Sequence, residues 1–322
     1  MPGDAAPHNP PADPAMRSHK RRTIAGVAWM LGAVLMWSGW LVTTRFGVTG
    51  DLAATDIAAI RTIVPALVLL PYAIRRFSRL RAVGPKRALM LGCGAGAPYA
   101  LVSTTGLDYA PAAHGAAMMP TLMPTVVALI SVLFFRERLA ARRWAGLGLI
   151  VAGATGLVVA TAAGQAGWSL LPGHLMFMLA AAMWAGYTIA LRGIQVSALE
   201  ATAILAGVSF VVYVPAYFAF AGPRIFDRAL LTDIALQAVY QGLIAGIVAL
   251  FFYARGVAAL GPSRASAFAA LVPVIAALLG VVLLAERPAP ADWVCIASVS
   301  AGVYLATGAP LPSLRRGRRP AV

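Results

Sequence analysis

Charged side chains are scarce in this sequence. Aspartate, glutamate, lysine and arginine make up only 11% of its 322 residues, whereas soluble domains carry about 25%. Apolar residues make up 60% of the chain, and the mean hydropathy is +0.80. One soluble core could not bury so many apolar side chains. The composition therefore excludes an ordinary soluble domain and predicts a protein embedded in a lipid bilayer.

Cysteine and histidine are also scarce. The two cysteines, Cys93 and Cys295, lie inside apolar runs, so there is no disulfide framework and no CxxC metal pair. The four histidines form no HExxH motif, and Ser38 has no base at its predicted depth. The sequence thus offers neither the constellation of an intramembrane enzyme nor the charged ring of a channel. We expect no catalytic residue, no metal site and no cofactor.

The apolar residues form ten runs, each close to the roughly 20 residues that a membrane-spanning helix needs. The predicted fold is an all-α integral membrane protein with ten transmembrane helices. The first run is too long for the apolar region of a signal peptide, so we expect it to remain as a helix. The ten predicted helices are 24–46, 56–74, 88–107, 112–135, 144–162, 175–193, 200–220, 234–254, 264–285 and 291–309.

Basic residues cluster in every second connection between these helices. If the N-terminus is placed inside the cell, 21 of the 26 lysines and arginines fall on the cytoplasmic side. This asymmetry follows the positive-inside rule and predicts that both termini are cytoplasmic. It accounts for the net charge of +15 without nucleic acid, which we do not expect as a partner. Residues 1–22 are predicted to be a disordered cytoplasmic tail and residues 310–322 a basic one.

An apolar segment with a proline at one end and a glutamate at the other occurs twice. Pro124–Glu137 reads PTVVALISVLFFRE, and Pro273–Glu286 reads PVIAALLGVVLLAE. The shift of 149 residues divides the chain into two repeats of five helices, 23–163 and 164–309. Five is odd, so the second repeat must be inverted relative to the first. The residues that keep the same register after each segment are Trp144 with Trp293 and Gly153 with Gly302.

The first helix of each repeat carries a second shared motif. Residues 36–40 read MWSGW, and residues 183–187 read MWAGY. With the paired proline–glutamate segments, this pattern resembles the drug/metabolite transporter superfamily, specifically its EamA-type members, over about residues 24–309. The resemblance implies a central cavity formed by helices 1–4 and 6–9, alternating access, and export of amino acids or related metabolites. One departure is that Arg61, in helix 2, aligns with Leu205 in helix 7.

Polar and aromatic residues at mid-depth are the candidates for lining such a cavity. Tryptophan normally lies at the membrane interface, so a repeat-related pair at mid-depth is predicted either to pack in the core or to line a cavity. A buried tyrosine hydroxyl or glutamine amide needs partners from a solute or from a neighbouring helix. The candidates of this kind are Trp37, Trp40, Tyr99, Trp184, Tyr187, Tyr240 and Gln241.

Charged groups within the helices are the other candidates. Arg61 is expected to snorkel outward, to pair with Asp56 or Asp108, or to bind an anionic group. His114, near the outer end of helix 4, is expected to be either a solvated interfacial side chain or a proton relay in the substrate cavity. Glu137 and Glu286 end their helices beside arginines, which favours local ion pairs. The sequence contains no carboxylate at mid-depth.

Prolines inside the helices predict bends, because each removes a backbone hydrogen bond. Pro124 and Pro273 lie at corresponding positions in helices 4 and 9. They are predicted either to be hinges for alternating access or to be static bends that shape the packing.

The sequence therefore predicts a secondary transporter of the inner membrane that exports a small metabolite such as an amino acid. The alternative is an exporter of many lipophilic compounds, because an aromatic cavity with little charge suits both. A non-transporting sensor is a weaker alternative. The predicted partners are a small solute and the lipid bilayer, and a homodimer is possible. The direction of transport and any coupling to protons stay open.

Overall fold

The structure, a computed structural model, describes residues 14–164, 166–191, 194–221, 229–260 and 262–308. Within these ranges the chain is helical and contains no β-strand. The tail predicted at 310–322 and the first thirteen residues lie outside them. The first helix begins at Pro14, inside the stretch 1–22 that was predicted to be disordered. Residues 14–22 continue the first membrane helix without a break.

Ten helical segments follow one another within the described ranges. α1 is Pro14–Thr49, α2 is Ala54–Arg75, α3 is made of Pro85–Ala95 (α3a) and Ala97–Tyr109 (α3b), α4 is Ala112–Phe135, α5 is Ala141–Ala163, α6 is Leu171–Ala190, α7 is Ala198–Ala216, α8 is Leu231–Leu260, α9 is Pro262–Leu284 and α10 is Pro290–Ala306. A short helix, Phe77–Arg81, connects α2 to α3, and a turn at Gly167–Leu170 precedes α6.

Eight of the segments are long and apolar enough to cross a membrane. The other two are α3, which is broken in the middle, and the 17-residue α10. The prediction of an all-helical membrane protein with ten helices is thereby confirmed. Large apolar side chains on the outside of the bundle, such as Phe134 (77% exposed) and Val282 (77% exposed), are suited to face lipid.

α3 was predicted as one helix over 88–107, but the structure breaks it at Gly96. Gly96 leaves the helical conformation (φ −90°, ψ −142°), and Pro98 lies in the first turn of the second half. The freed backbone is satisfied across the bundle, because Ala97 N–H donates to the hydroxyl of Ser209 on α7 at 3.0 Å. A β-carbon at Gly96 would lie 2.0 Å from that hydroxyl oxygen, so this contact requires glycine.

α8 and α9 are also irregular where regular helices were predicted. In α8, Ala238–Val248 is a π-helix between two α-helical ends. In α9, Phe268–Leu271 is a 3₁₀ turn, and Pro273 lies in the first turn of the α-helix Val272–Leu284. π-helical turns are rare and occur often at functional sites. In each helix the irregular backbone alters the direction of the side chains that follow it.

The two repeats pack against each other helix by helix. α2 contacts α7, α4 contacts α9, and α5 contacts α10; α1 packs on α8 and α9, just as α6 packs on α3 and α4. This reciprocal pattern is what two inverted copies of one unit produce. α5 and α10 approach closely, since a β-carbon at Gly302 would lie 2.7 Å from the carbonyl oxygen of Gly146.

Because successive helices alternate in direction, the bundle has two ends. We call the end formed by Arg22, the Phe77–Arg81 helix and the C-terminus of α4 the Arg-rich face. The opposite end, where α1, α3b and α9 finish and α2, α4 and α10 begin, is the Arg-poor face. Inside the bundle, the largest group of buried apolar side chains runs between these faces and contains members of both repeats.

Candidate functional site

Six of the predicted site residues come together between the two repeats. They are joined by ring contacts and hydrogen bonds around the guanidinium of Arg61, and they lie on five different helices, three from the first repeat and two from the second. We call this group the central cluster; it consists of Trp40, Arg61, Tyr99, Trp184, Tyr187 and Gln241.

Aromatic rings form a continuous chain through the central cluster. Tyr99 stacks with Trp40, with ring centres 6.5 Å apart, and meets the edge of Trp184 at 4.9 Å. Trp184 in turn meets Tyr187 at 5.6 Å. The helix break at Gly96 precedes Tyr99 by three residues, so the break sets the direction in which this central ring points. The chain of rings joins α1 and α3 to α6, across the two repeats.

Arg61 is half-buried, and its guanidinium lies over the aromatic rings. Its guanidinium carbon is 4.6 Å from the centre of the Trp40 ring and 6.0 Å from that of Tyr99. Such stacking is a cation–π interaction, which is strongest where water is excluded. Neither predicted ion pair forms: Asp56 instead accepts a hydrogen bond from the hydroxyl of Tyr217 at 2.6 Å. Within the described residues, no carboxylate lies within ion-pair distance of Arg61.

Gln241 holds both Arg61 and Trp40 in place. Its side-chain oxygen accepts a hydrogen bond from Trp40 Nε1 at 2.7 Å and another from Arg61 Nη1 at 3.1 Å. Its amide nitrogen donates to Thr44 Oγ1 at 2.7 Å and to Gln237 Oε1 at 3.0 Å. The protein therefore satisfies all the hydrogen bonds that this amide can make. Gln241 positions the guanidinium, and it belongs to the π-helical part of α8.

Trp37 and Tyr240 lie outside the central cluster. Trp37 packs against Tyr253 on α8, with ring centres 5.4 Å apart. The hydroxyl of Tyr240 approaches α1, where a β-carbon at Gly39 would lie 2.0 Å from it. The two repeat-related tryptophans thus have equivalent places, Trp37 against α8 and Trp184 against α3, but only Trp184 contacts the rings around Arg61.

His114 belongs to a separate polar cluster at the Arg-poor face. Its Nδ1 lies 2.9 Å from Nε2 of His174 on α6, and its Nε2 lies 3.7 Å from Oδ2 of Asp292 on α10. His114 is 3% exposed, His174 1% and Asp292 8%. The expectation of a solvated interfacial histidine is wrong, because these two partners and the packing of α4 cover the ring.

Local ion pairing predicted that Glu286 would pair with its sequence neighbour Arg287. The structure shows that it does not. Its Oε1 accepts a hydrogen bond from Ala112 N–H at the start of α4, at 3.0 Å, and lies 3.8 Å from Arg45 Nε on α1. Arg45 also donates to the carbonyl oxygens of Leu107 and Asp108 at the end of α3b. The glutamate side chain turns toward the other repeat because Ala285, just before it, adopts a left-handed conformation (φ 53°).

A cavity of ≈ 940 Å³ opens at this face beside Arg45, His114, Glu286 and Asp292. Within the described residues, no group of histidine, cysteine and acidic side chains has the arrangement needed to hold a metal ion. The charged side chains that line this cavity come from both repeats.

Pro124 and Pro273 differ in their surroundings. Pro124 lies inside the uninterrupted helix α4, whereas Pro273 follows the 3₁₀ turn of α9. The carbonyl of Val272, next to Pro273, accepts a hydrogen bond from the hydroxyl of Ser38 on α1 at 3.2 Å. Only the second repeat thus has a change of helix type at the shared proline.

Reasoning from the sequence did not identify several residues that the structure joins to these clusters. Thr44 was missed because threonine is common in helices. Gln237 was missed because it lies near a predicted helix end. His174 and Asp292 were not among the candidates, although both lie in the first turns of helices that begin at the Arg-poor face. That shared face was the only signal that could have joined them to His114.

Comparison with known proteins agrees with this architecture. The model of the EamA-like transporter family matches residues 24–159 and 171–308, one match for each repeat. The uncharacterized transporter YwfM of Bacillus subtilis (strain 168) is 28% identical over 141 residues, which are 43% of this chain and 46% of YwfM. The match thus spans about half of that relative.

A solved crystal structure, described only as that of a protein, is similar over 89% of this chain and 96% of its own. The TM-score is 0.58 and the sequence identity 24%, so this likeness concerns the fold alone. The family model covers most of the chain and both repeats, and its members are transporters rather than enzymes. The chain belongs to the EamA-like transporter family.

Proposed function

We propose that this protein exports a small metabolite that carries a carboxylate, such as an amino acid, across the inner membrane by alternating access. The Arg-rich face is cytoplasmic in this proposal, in keeping with the positive-inside rule. The solute binds at the central cluster, between the two repeats, where transporters built from inverted repeats bind their substrates.

The observation that carries this proposal is the unneutralised charge of Arg61. A guanidinium has five N–H donors, and here one of them reaches Gln241. Removal of an isolated charge from water is costly, so a buried cation normally has an anionic partner. No carboxylate of the described residues supplies one. A carboxylate on the solute would complete the site by accepting two parallel hydrogen bonds.

The rings beside Arg61 favour an apolar or aromatic solute body. On the side of α6, the half-buried rings of Trp184 and Tyr187 lie beside the buried ring of Tyr99. Pockets for small molecules combine such surface with a few fixed polar groups. An amino acid with a branched or aromatic side chain has both parts. Its carboxylate would contact Arg61 while its side chain contacts the rings.

The reciprocal packing of the repeats supports alternating access. The central cluster joins α1, α2 and α3 of the first repeat to α6 and α8 of the second. A rotation of one repeat against the other would open one face while closing the opposite one. The change of helix type at Pro273 offers a place for such bending in α9.

The alternative, a broad exporter of lipophilic compounds, has the same aromatic surface in its favour. Many such compounds are cations, and Arg61 would repel them. The two functions therefore predict opposite preferences for the charge of the solute.

A thermal-shift screen on the detergent-purified protein separates them. The panel would contain the twenty amino acids, their amides without the carboxylate, and several lipophilic cations. A ligand that binds only the folded state raises the melting temperature. We expect shifts with branched or aromatic amino acids and none with their amides. Shifts with many cations and none with amino acids would favour the broad exporter.

The Arg61→Gln variant tests the role of the charge. Loss of a charge-assisted pair should weaken binding of the carboxylate by about tenfold or more. Arg255→Gln is the matched control. Arg255 also stacks on a ring, with its guanidinium carbon 5.0 Å from the centre of Phe251, but it lies near the C-terminal end of α8, away from Gln241. Equal binding in Arg61→Gln and in the unaltered protein would contradict the proposal.

A further inference from the structure

We propose that His114, His174 and Asp292 form a proton-binding site at the Arg-poor face, and that proton binding there favours closure of this face. The site is separate from the central cluster. Its consequence for transport rests on the proposed function, whereas its occupancy by a proton does not.

The geometry of the three side chains limits where protons can be. His114 Nδ1 and His174 Nε2 are 2.9 Å apart, so one of the two nitrogens carries a hydrogen and the other accepts it. If the neutral His114 donates from Nδ1, its Nε2 has a free lone pair. That lone pair faces Oδ2 of Asp292 at 3.7 Å, which is longer than a hydrogen bond.

A proton can enter this gap from solvent. His114 and Asp292 both line the cavity of ≈ 940 Å³ at the Arg-poor face. A hydronium ion in the cavity transfers its proton to His114 Nε2: its O–H bond breaks, an N–H bond forms, a water molecule is left, and the ring becomes an imidazolium. This ion donates from Nε2 to the Asp292 carboxylate and keeps its bond from Nδ1 to His174. The cluster gains one positive charge and one hydrogen bond to Asp292, and no bond within the protein is broken.

The added proton would draw the two repeats together. His114 belongs to α4 in the first repeat, while His174 and Asp292 belong to α6 and α10 in the second. A charge-assisted hydrogen bond is shorter and stronger than a contact at 3.7 Å. The protonated cluster therefore favours the closed arrangement of these helix ends, and the deprotonated cluster permits them to separate.

Other charged and titratable groups reach the same region from the helices packed around α4. They are Arg45 from α1, Asp108 and Tyr109 from α3b, Glu286 and Arg287 after α9, and Cys295 from α10, while α5 has its arginines at the opposite end. Arg45 and Glu286 form a second contact between the repeats, at 3.8 Å. Glu286 Oε2 is buried and accepts no hydrogen bond within the described residues. This ion pair is next to the proton site, so we expect the two contacts to separate together.

The test measures the distance across the Arg-poor face without any solute. Nitroxide labels would be placed at Thr49→Cys and Pro288→Cys, two positions that line the cavity, in a chain with Cys93→Ser and Cys295→Ala. Double electron–electron resonance in nanodiscs would give the distance distribution between about pH 5 and about pH 9, the range that brackets histidine titration. The short-distance population should increase as the pH falls. One coupled proton changes the ratio of the two populations by at most about tenfold per pH unit.

Variants assign the effect to the cluster. His114→Gln and Asp292→Asn should each give a distribution that does not change with pH. Asp51→Asn is the matched control: this exposed carboxylate lies on the same face, in the turn after α1, and its removal should leave the pH dependence intact. If His114→Gln does not purify as a folded protein, Asp292→Asn provides the same test.

The outcomes are distinct from those of the solute experiment. A distance that does not change with pH, or a pH dependence that survives in both variants, overturns the proton site. Neither result affects solute binding at Arg61. Conversely, a pH-dependent distance in a protein that binds no amino acid would support the proton site and contradict the proposed solute.

Discussion

The hydroxyl of Ser209 accepts a hydrogen bond from the backbone N–H of Ala97 at 3.0 Å. Ser209 is on α7 and Ala97 begins α3b, so the bond joins the two repeats at the point where α3 is broken. Ser209 is 4% exposed, and water is therefore a poor substitute for its oxygen. A single side chain from the second repeat thus stabilises the break that directs Tyr99 into the central cluster.

Replacement of Ser209 by alanine should destabilise the protein. A buried N–H left without a partner costs about 1–3 kcal/mol. We expect a lower melting temperature of the detergent-purified Ser209→Ala variant. The matched control is Thr105→Ala, because the Thr105 hydroxyl donates only to the carbonyl of Leu101 in its own helix. Equal melting temperatures for the two variants would show that the bond across the break is unimportant.

Replacement of Gly302 by alanine should separate α5 from α10. The new β-carbon would lie 2.7 Å from the carbonyl oxygen of Gly146 and 2.8 Å from the backbone nitrogen of Ile150, and backbone atoms cannot turn away. Overpacking of this kind costs about 1–3 kcal/mol. Gly148→Ala is the control, since nothing lies within 4 Å of its β-carbon. Thermal unfolding should show a loss of stability for Gly302→Ala and little change for Gly148→Ala.

Replacement of Gln241 by glutamate should block the proposed solute site. The new carboxylate would form an ion pair with Arg61 and so supply the anion that we assign to the solute. We expect at least about tenfold weaker binding of carboxylate solutes, with the protein still folded. Gln195→Glu, the same change in the loop before α7, should bind as the unaltered protein does. Undiminished binding in Gln241→Glu would contradict the role of Arg61.

Replacement of the two repeat-related prolines should have unequal effects. Alanine at Pro273 restores a backbone donor next to the 3₁₀ turn of α9 and favours a straight helix there. α4 is already continuous at Pro124. We therefore expect Pro273→Ala to slow transport into proteoliposomes more than Pro124→Ala does. Pro71→Ala, at an exposed position in α2, is the control. Transport rates near that of the unaltered protein for both variants would remove the hinge hypothesis.

Several features of the fold could be predicted because they depend on local composition and on repetition. The apolar runs identify the membrane helices, since a bilayer requires each spanning segment to be apolar and to satisfy its own backbone. The repeated proline–glutamate segments, Pro124–Glu137 and Pro273–Glu286, reveal the two copies. An odd number of helices in each copy then makes the second copy inverted.

The irregular backbone could not be predicted in the same way. Prolines indicate where a helix bends, but they do not say whether the result is a break, as before Pro98, or a continuous helix, as at Pro124. The partner of the freed backbone decides this. At Gly96 the partner is Ser209, which lies more than a hundred residues away in the sequence.

By itself, the sequence determined that this protein is a bundle of ten membrane helices in two inverted repeats, because composition and period act along the chain. Only the tertiary structure decided which polar groups meet. It placed Arg61 on Trp40 rather than beside Asp56, and it joined His114 to His174 and Asp292. The physical reason is that a buried charge or amide takes whichever partner packing brings within hydrogen-bond distance, and that partner comes from another helix.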